Sequence, residues 1–387
     1  MTQTLVSLTN IPTPYRTHLY NALAREMSAR GLGLHVLYMA KSEPGRFWTF
    51  EPEQHHYPYT FLKDWPLRFR RHELPFNPDI LSTLRKQSPR WLLVSGSWYF
   101  PAVQMTPLAV NHRQTVTLFW NESNLAYMTR KNGPVNAWRR HTLDWYDGYV
   151  VPGAWAREYV QAYAPSSAGK PFLNLPNVVN ERLFRDKTAE LRQQRAKLRQ
   201  KWGCDAPGKT ILLTVARLEP IKGVQELVEA LLDFGGLDHL ILLVAGTGAL
   251  QETLQARVRQ AGREENIRFL GYQDEARILE LLALADGFVL PSLGDPYPLV
   301  VIEASFAKLP LLLSNRVGCH PEALHPGHNG LLFDPYQPES IRDALCAFLE
   351  AGPTGWQMMG ERSLANAEAV FSTEQVLPHF LDELETL

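Results

Sequence analysis

The stretch GFVLPSLGDPYPLVVIEA, residues 287–304, predicts the fold around it. Four apolar residues indicate a buried strand, a loop containing glycine and proline follows, and an apolar helix begins at Leu299. The free amide groups and the dipole of a helix start favour an anion such as phosphate. Because Asp295 and Glu303 flank this turn, the stretch predicts a ligand with hydroxyl groups beside its phosphates, such as a nucleotide sugar.

The same alternation of short apolar runs and helical patterns continues along the chain and predicts parallel sheets with helices on both faces. Two such doubly wound domains would hold their ligands at the carboxyl ends of the strands, in a cleft where the domains face each other. The predicted strands are residues 5–8, 34–38, 91–95, 115–119 and 148–151 in the first half, and 211–218, 240–245, 267–269, 287–290 and 311–314 in the second.

A length of 387 residues predicts two domains. We expect an N-terminal domain over residues 1–182 and a C-terminal domain over residues 183–372. The charged segment 185–201 predicts a solvated helix, with a nucleic-acid-binding arm as the alternative. Residues 41–77, rich in proline and aromatic residues, fit the alternation poorly and indicate a surface excursion or an acceptor-side lobe.

The composition narrows the class of protein. Lys and Arg number 39 against 40 Asp and Glu, so the net charge of -1 gives no basic field for nucleic acid. Three widely spaced cysteines predict neither a disulfide nor a metal site, and no His or carboxylate cluster has metal-ligand spacing. No signal peptide or membrane-spanning run is visible, so we expect a cytoplasmic location.

Several predicted strand ends carry glycine or charge. Arg217 and Lys222 are spaced to hold a diphosphate, although surface cations are the alternative. Gly246 and Gly248 would allow close approach of a ligand to the backbone, or form an ordinary tight turn. Tyr272 could stack on a base or simply pack. A further loop, residues 317–322, ends at Glu322, with His320 as a candidate donor contact.

These spacings, Arg217-x4-Lys222, Gly246-x-Gly248, Asp295-x7-Glu303 and Gly318-x3-Glu322, resemble family 4 glycosyltransferases of the GT-B fold. The resemblance is close over about residues 205–350. The N-terminal half is similar more loosely, through PTPYR at 12–16 and WNES at 120–123.

The resemblance implies a retaining enzyme that uses a nucleotide-diphosphate sugar, here a UDP- or GDP-linked donor, and no metal or other cofactor. Arg217 and Lys222 would neutralise the diphosphate and stabilise the leaving group. Glu303 would accept hydrogen bonds from the ribose, and Asp295 would meet the sugar hydroxyls. The amides of Leu299 and Val300 would hold phosphate oxygens. Gly246, Gly248, Tyr272 and Glu322 complete the expected donor site.

The chain departs from the family pattern twice. The first carboxylate is usually Glu and is here Asp295, which is one methylene shorter. The glycine usual before the apolar helix is replaced by Pro298, which has no N–H to donate. Both changes leave the identity of the donor sugar open.

In the N-terminal half, Glu122 is the expected catalytic contributor, where it would stabilise positive charge in the transition state or orient the acceptor hydroxyl. A helix-start acid is the alternative interpretation, and Asn121 is the alternative contact. Arg16 would bind a phosphate or the acceptor, or lie on the surface. We expect the last segment, residues 373–387, to form a helix that packs back on the N-terminal domain.

Two basic and aromatic clusters, residues 65–72 and 130–141, could rest on anionic lipid, or be ordinary solvated faces. Peripheral binding at the inner face of the membrane is therefore one expectation. The leading hypothesis for the activity is a hexosyltransferase that acts on a glycan or lipid-linked glycan in cell-surface polysaccharide biosynthesis. The alternatives are a phosphorylase, a GT-B-fold sugar-nucleotide epimerase and a non-catalytic nucleotide-sugar-binding partner.

Overall fold

The computed structural model describes residues 3–43, 50–69, 72–127 and 133–387. The chain forms two compact units. The N-terminal unit comprises Met1–Val178 and Thr373–Leu387, and the C-terminal unit comprises Val179–Ser372.

The N-terminal unit alternates strands and helices over most of its length. Its elements are β1 (Thr4–Thr9), α1 (Pro14–Ala29), β2 (Gly33–Tyr38), β3 (Tyr59–Phe61), β4 (Leu67–Phe69), β5 (His72–Leu74), α2 (Ile80–Gln87), β6 (Trp91–Ser95), α3 (Pro101–Ala109), β7 (Val116–Trp120), α4 (Pro134–Asp144), β8 (Gly148–Val151), α5 (Ala154–Tyr163) and β9 (Phe172–Asn174).

Within the described residues, the main sheet of this unit has seven parallel strands in the order β3-β2-β1-β6-β7-β8-β9. The chain winds outward in both directions from the neighbouring strands β1 and β6. In such a sheet the crevice at the carboxyl ends of these two strands is where a ligand binds. All five predicted strands of this half are confirmed, with shifts of one residue at some ends.

The region from 41 to 77 fits the sequence pattern least well. Its described part supplies the edge strand β3 and an antiparallel pair, β4 and β5, which is separate from the main sheet. Strands of three residues carry too little alternation to be recognised from a single sequence. One aromatic residue of this region, Trp48, lies outside the described residues. So do four basic residues of the predicted lipid-binding clusters, namely Arg70, Arg71, Arg130 and Lys131.

The C-terminal unit begins with a charged helical segment and then alternates regularly. Its elements are α6 (Thr188–Arg192), α7 (Arg195–Lys201), β10 (Thr210–Val215), α8 (Val224–Leu232), β11 (Leu240–Ala245), α9 (Gln251–Gln260), β12 (Ile267–Gly271), α10 (Glu275–Leu284), β13 (Gly287–Leu290), α11 (Leu299–Phe306), β14 (Leu311–Ser314), α12 (His320–Ala323), β15 (Gly330–Phe333) and α13 (Pro338–Phe371), which is broken at Gly352.

The C-terminal sheet has six parallel strands in the order β12-β11-β10-β13-β14-β15, counted over the part of the chain that the structure describes. Its change of winding direction lies between β10 and β13. All five strands predicted for this half are present, although β10 ends at Val215, earlier than expected. The predicted fold class, two Rossmann-like doubly wound domains, is confirmed.

The charged segment is helical, but the prediction that it is a solvated helix is wrong for one of its faces. Arg192 donates to the carbonyl of Ala307 at the end of α11, at 2.8 Å. Arg195 and Arg199 both donate to the buried carboxylate of Asp286, each at 2.7 Å. These arginines face inward because they satisfy carbonyl groups that helices α10 and α11 leave without intrahelical partners.

The last helix, α14 (Thr373–Glu385), belongs to the N-terminal unit. It packs against α1 and β9 and buries Leu377, Phe380, Leu381 and Leu384 in the core of that unit. Arg30 at the end of α1 forms an ion pair with Asp382, at 2.6 Å. The N-terminal unit is therefore built from both ends of the chain.

Candidate functional site

Two loops meet at the winding switch of the C-terminal sheet, at the ends of β10 and β13. Gly223 approaches the second loop so closely that a Cβ atom there would lie 1.9 Å from the carbonyl oxygen of Pro291. The amide of Leu293 also donates to the carbonyl of Ile221, at 2.9 Å. Gly223 has a φ of 66°, a conformation that favours glycine. The backbone thus fixes the relative position of the two loops.

This packing brings Lys222 and Asp295 together. The ammonium group of Lys222 donates to the Asp295 carboxylate, and both side chains are largely buried. Arg217, two residues beyond β10, is exposed. The predicted cation pair is therefore asymmetric, since Lys222 already has a carboxylate partner while Arg217 faces solvent.

The Asp295 loop is also held from the next strand. The amide of Gly318 donates to the carbonyl of Asp295 at 2.8 Å, and the amide of Asp295 donates to the carbonyl of Arg316 at 3.4 Å. This contact places the segment that carries His320 and Glu322 beside Asp295. The ring of His320 lies 2.8 Å from the carbonyl of Val317, and burial lowers its pKa.

Helix α11 begins at the end of this loop. Pro298 is its N-cap in an extended conformation, and no side chain of the described residues caps the helix. The first amides of a helix, here those of Leu299 and Val300, have no intrahelical acceptor and point out of the helix start. Glu303 lies in the second turn, where burial, assisted by the negative charge of Glu275, raises its pKa to about 7.

The two glycines of the predicted loop, Gly246 and Gly248, also have a structural role. A Cβ atom at Gly246 would lie 1.9 Å from the carbonyl oxygen of Ala216, and one at Gly248 would lie 2.5 Å from that of Leu218. Both glycines thus let the ends of β10 and β11 pack together, which supports the loop that carries Arg217. Tyr272 follows β12 and is 61% exposed, so its ring is accessible for stacking.

In the N-terminal unit, Arg16 is buried at the start of α1 and lies over the ring of Trp120, 3.6 Å from its centroid. It donates to the carboxylate of Glu122 at 2.8 Å. Burial opposes the charge of Arg16, but the Glu122 carboxylate, Tyr15 and Tyr20 together outweigh that effect, so the pKa of Arg16 is raised. Arg16 is therefore not the surface residue that one sequence interpretation allowed.

Asn121, the alternative contact to Glu122, is used within the fold. Its amide nitrogen donates to the carbonyls of Ser123 at 2.9 Å and Ala156 at 3.0 Å. These bonds hold the loop after β7, so that Glu122 rather than Asn121 is available to a ligand.

Arg16 and Glu122 line a small polar cavity of about 100 Å³ at the carboxyl ends of β1, β6 and β7. Sequence reasoning missed most of this cavity. Asn10 directly follows β1, and an Asn at the end of a switch-point strand is the signal that could have indicated it. The lining residues are Thr9, Asn10, Ile11, Thr13, Tyr15, Arg16, Glu43, Ser95, Gly96 and Glu122.

The described residues contain no group of three or more His, Cys, Asp or Glu side chains that could hold a metal ion. They also contain no helix long and apolar enough to cross a membrane.

Residues 194–362, which carry the loops after β10, β11, β12 and β13, match the family described as Glycosyl transferases group 1. These residues form a group 1 glycosyltransferase domain. The whole chain also superimposes on the structure of Anabaena Alr3699/HepE in complex with UDP, with a TM-score of 0.76 and 16% identity, covering 100% of both chains. It matches the lipopolysaccharide outer core galactosyltransferase WaaB with a TM-score of 0.72 and 13% identity, covering 99% of both. At these identities the likeness shows the GT-B fold.

Curated relatives of the glycosyltransferase domain are more similar in sequence but are matched over part of their length. A D-inositol 3-phosphate glycosyltransferase of Corynebacterium glutamicum is 30% identical over 164 residues, 41% of this chain and 39% of the relative. An N-acetyl-alpha-D-glucosaminyl L-malate synthase of Bacillus anthracis is 26% identical over 211 residues, 54% of this chain and 53% of the relative. The matches thus span about two fifths to one half of these relatives.

Proposed function

We propose that this chain is a retaining glycosyltransferase that moves a sugar from a UDP- or GDP-linked donor to a glycan or lipid-linked glycan, in the synthesis of a cell-surface polysaccharide. One observation carries the proposal: Lys222, Asp295 and the uncapped start of α11 lie together at the switch point of the C-terminal sheet. The group 1 domain and the UDP complex of the similar Anabaena protein support it.

The charges of this loop cluster suit a nucleotide diphosphate. Arg217 can offer a fork of donors to the diphosphate oxygens, and Lys222 can add a point charge. The amides of Leu299 and Val300 add donors at the helix start. Glu303 would accept from the ribose hydroxyls as a carboxylate, and Tyr272 would stack on the base.

The reaction that this arrangement would support breaks the bond between the anomeric carbon of the donor sugar and the phosphate oxygen. The electron pair goes to the leaving diphosphate, whose charge Arg217 and Lys222 would stabilise without a metal. The acceptor oxygen bonds to the same face of the anomeric carbon and passes its proton to the leaving phosphate. This front-face route retains the anomeric configuration and needs no covalent intermediate on the protein.

The ion pair between Lys222 and Asp295 offers a physical reason for an aspartate at this position, where the family usually has a glutamate. Asp295 would meet the hydroxyls of the donor sugar while it holds Lys222 near the diphosphate. The shorter side chain is therefore used to orient the cation as well as the sugar. In the N-terminal unit, Glu122 would act on the acceptor hydroxyl or on developing positive charge, with Arg16 as its positioning residue.

A panel of nucleotide sugars tests donor binding. We expect UDP-glucose, UDP-galactose, UDP-N-acetylglucosamine or GDP-mannose to raise the melting temperature, because a ligand at 100 times its Kd stabilises the native state by about 2.7 kcal/mol. Arg217→Ala should weaken binding about tenfold or more. Arg259→Ala, a change of the same type at an exposed ion pair, is the control.

Product analysis tests the chemistry. With an extract of cellular glycans and glycolipids as acceptor, UDP or GDP release should depend on Lys222, and NMR of the product should show the donor's anomeric configuration. Donor binding without nucleotide release would favour the non-catalytic binding partner, and release of an epimerised free sugar would favour the epimerase. If Lys222→Ala keeps both donor binding and sugar transfer, the assignment of this site is wrong.

We also propose that the protein binds peripherally to the inner face of the membrane. The support comes from an exposed apolar surface formed by Tyr99, Val135 and Trp138, in which Trp138 contacts Trp98 edge-on at 5.1 Å. Arg140, on the same helix as Trp138, is exposed and could contact anionic headgroups.

Vesicle sedimentation tests this proposal. We expect binding to phosphatidylcholine vesicles that contain phosphatidylglycerol, weakened in Trp138→Ala and by high salt. Tyr336→Ala removes an exposed aromatic ring of the C-terminal unit and serves as the control. Equal sedimentation of wild type with and without anionic lipid would argue against a membrane role for this surface.

A further inference from the structure

The cavity beside Glu122 contains polar atoms that the fold leaves unsatisfied. The oxygen Oδ1 of Asn10 and the nitrogen Nη1 of Arg16 are both buried and have no hydrogen-bond partner among the described residues. Arg16 itself is only 3% exposed. Because a buried polar group without a partner costs about 1–3 kcal/mol, an unsatisfied acceptor and an unsatisfied donor on two residues that line the same cavity indicate a missing ligand.

The orientation of the Asn10 amide is set by its neighbours. Its nitrogen donates to the Glu43 carboxylate at 3.3 Å, which leaves the oxygen on the other side. That oxygen lies against Gly96, where a Cβ atom would come within 2.5 Å of it. Any side chain at position 96 would therefore crowd the oxygen, and glycine keeps it clear.

The charges of the lining select the chemistry of the ligand. Arg16 is the one cation among the lining residues that the structure describes, and the carboxylates of Glu122 and Glu43 oppose it. Arg16 is also already bonded to Glu122. A phosphate or carboxylate would meet net negative charge, so the sequence-based expectation that Arg16 binds a phosphate is not favoured by this arrangement. A hydroxyl group, which both donates and accepts, matches Asn10 and Arg16 together.

The size of the cavity limits what can enter. About 100 Å³ leaves room for several water molecules, because one water needs roughly 10–15 Å³ of such space. This space accommodates the hydroxyl-bearing edge of a sugar ring.

We propose that this cavity binds the hydroxyl edge of an uncharged sugar unit of the acceptor, through Asn10 and Arg16, and discriminates against a phosphorylated or carboxylated sugar. The inference rests on the proposed function, because it assigns the acceptor's chemistry to a site beside Glu122. It adds Asn10 as a residue that determines acceptor specificity and Glu43 as the residue that orients it.

Ligand-observed NMR on the full chain tests the proposal with defined probes. These are the methyl α-glycosides of glucose, galactose and mannose, with glucose 6-phosphate and glucuronic acid as charged counterparts. We expect at least one neutral glycoside to bind more tightly than both charged sugars. Asn10→Ala should weaken that binding about tenfold, and the exposed change Asn111→Ala should not.

Glu43→Gln provides a second variant that does not depend on losing a contact. Glutamine keeps an oxygen for the Asn10 amide but removes one negative charge, so binding of glucose 6-phosphate should rise relative to the neutral glycoside. Glu53→Gln, exposed in the same unit, should leave this ratio unchanged. A changed ratio is not expected from a purely structural role of Glu43.

Three results would overturn the inference: tighter binding of a charged sugar by wild type, equal glycoside binding by Asn10→Ala, or no binding of any neutral glycoside up to its solubility. UDP-sugar binding is measured on the same preparations. If the proposed donor function is wrong, the protein binds no nucleotide sugar. If only this inference fails, nucleotide-sugar binding stays intact.

Discussion

At the residue scale, Lys222 and Asp295 stabilise each other within the C-terminal unit. Lys222→Met should destabilise the protein by about 1–3 kcal/mol, because Asp295 then remains buried without its cation. The double variant Lys222→Met with Asp295→Asn should recover most of that loss in urea unfolding but should still bind a nucleotide sugar poorly. Recovery of binding in the double variant would contradict the proposed role of Lys222 at the diphosphate.

Glu303 predicts a dependence of stability on pH. Its pKa is about 7 in the folded protein, because of burial and Glu275, and about 4.3 in an unfolded chain. Between these values the folded state holds a proton that the unfolded state has lost. The free energy of unfolding should therefore fall as pH rises from about 4.3 to 7, by at most about 1.4 kcal/mol per pH unit.

The measurement is urea unfolding at pH 5 and pH 7.5 in wild type and Glu303→Gln. The glutamine variant should show a smaller fall, and Glu252→Gln, an exposed change in the same unit, should behave as wild type. Since ribose hydroxyls donate to a carboxylate, affinity for a nucleotide sugar should rise with pH over the same range. An identical pH slope in Glu303→Gln would show that the carboxyl group titrates normally.

At the scale of elements, the relative position of the loops after β10 and β13 depends on Gly223. Gly223→Ala adds a strained φ and a clash with the Pro291 carbonyl, so the loops after β10 and β13 must separate. Gly208 is the matched control, because its φ is 74° but a Cβ atom there would have no described neighbour within 4 Å. We expect Gly208→Ala to cost about 1–2 kcal/mol and Gly223→Ala about 1–3 kcal/mol more, with weaker nucleotide-sugar binding.

A second element-scale prediction concerns the inward face of the charged helices. Asp286 accepts from Arg195, Arg199 and the amide of Ile211, so Asp286→Ala leaves several donors without an acceptor. We expect a loss of about 3 kcal/mol in urea unfolding. Asp238→Ala, which removes an exposed ion pair with Arg263, should change stability by less than about 1 kcal/mol.

The same elements show what can be predicted from the sequence. Central strands such as β11 and β13 are recognisable because they are buried on both faces and form continuous apolar runs. The edge strands β3 and β9 have three residues each and include Thr60 and Asn174, so the local pattern is insufficient. The inward arginines of α6 and α7 escape prediction because their partners, Asp286 and the ends of α10 and α11, are distant in sequence.

At the scale of the whole molecule, repeated strand-end signals predict the loops of the proposed donor site but not the cavity beside Glu122. The donor signals are short spacings, such as Arg217 to Lys222, that local sequence contains. The cavity instead joins Asn10, Gly96 and Glu122 from three separate strand ends, and the orientation of Asn10 depends on Glu43. Such long-range contacts are set by sheet order, which a single sequence specifies weakly.

The return of the chain to the N-terminal unit gives a prediction for the whole molecule. Phe380 of α14 is fully buried in the N-terminal core, so Phe380→Ala should destabilise that unit by about 3–5 kcal/mol. His379→Ala, on the exposed face of the same helix, should have an effect below about 1 kcal/mol. Hydrogen exchange should show faster exchange in β1 and β2 for Phe380→Ala, while β10 and β11 of the C-terminal unit exchange as in wild type. Because α14 is part of the N-terminal core and not of the C-terminal one, equal acceleration in both sheets would contradict the division into two units.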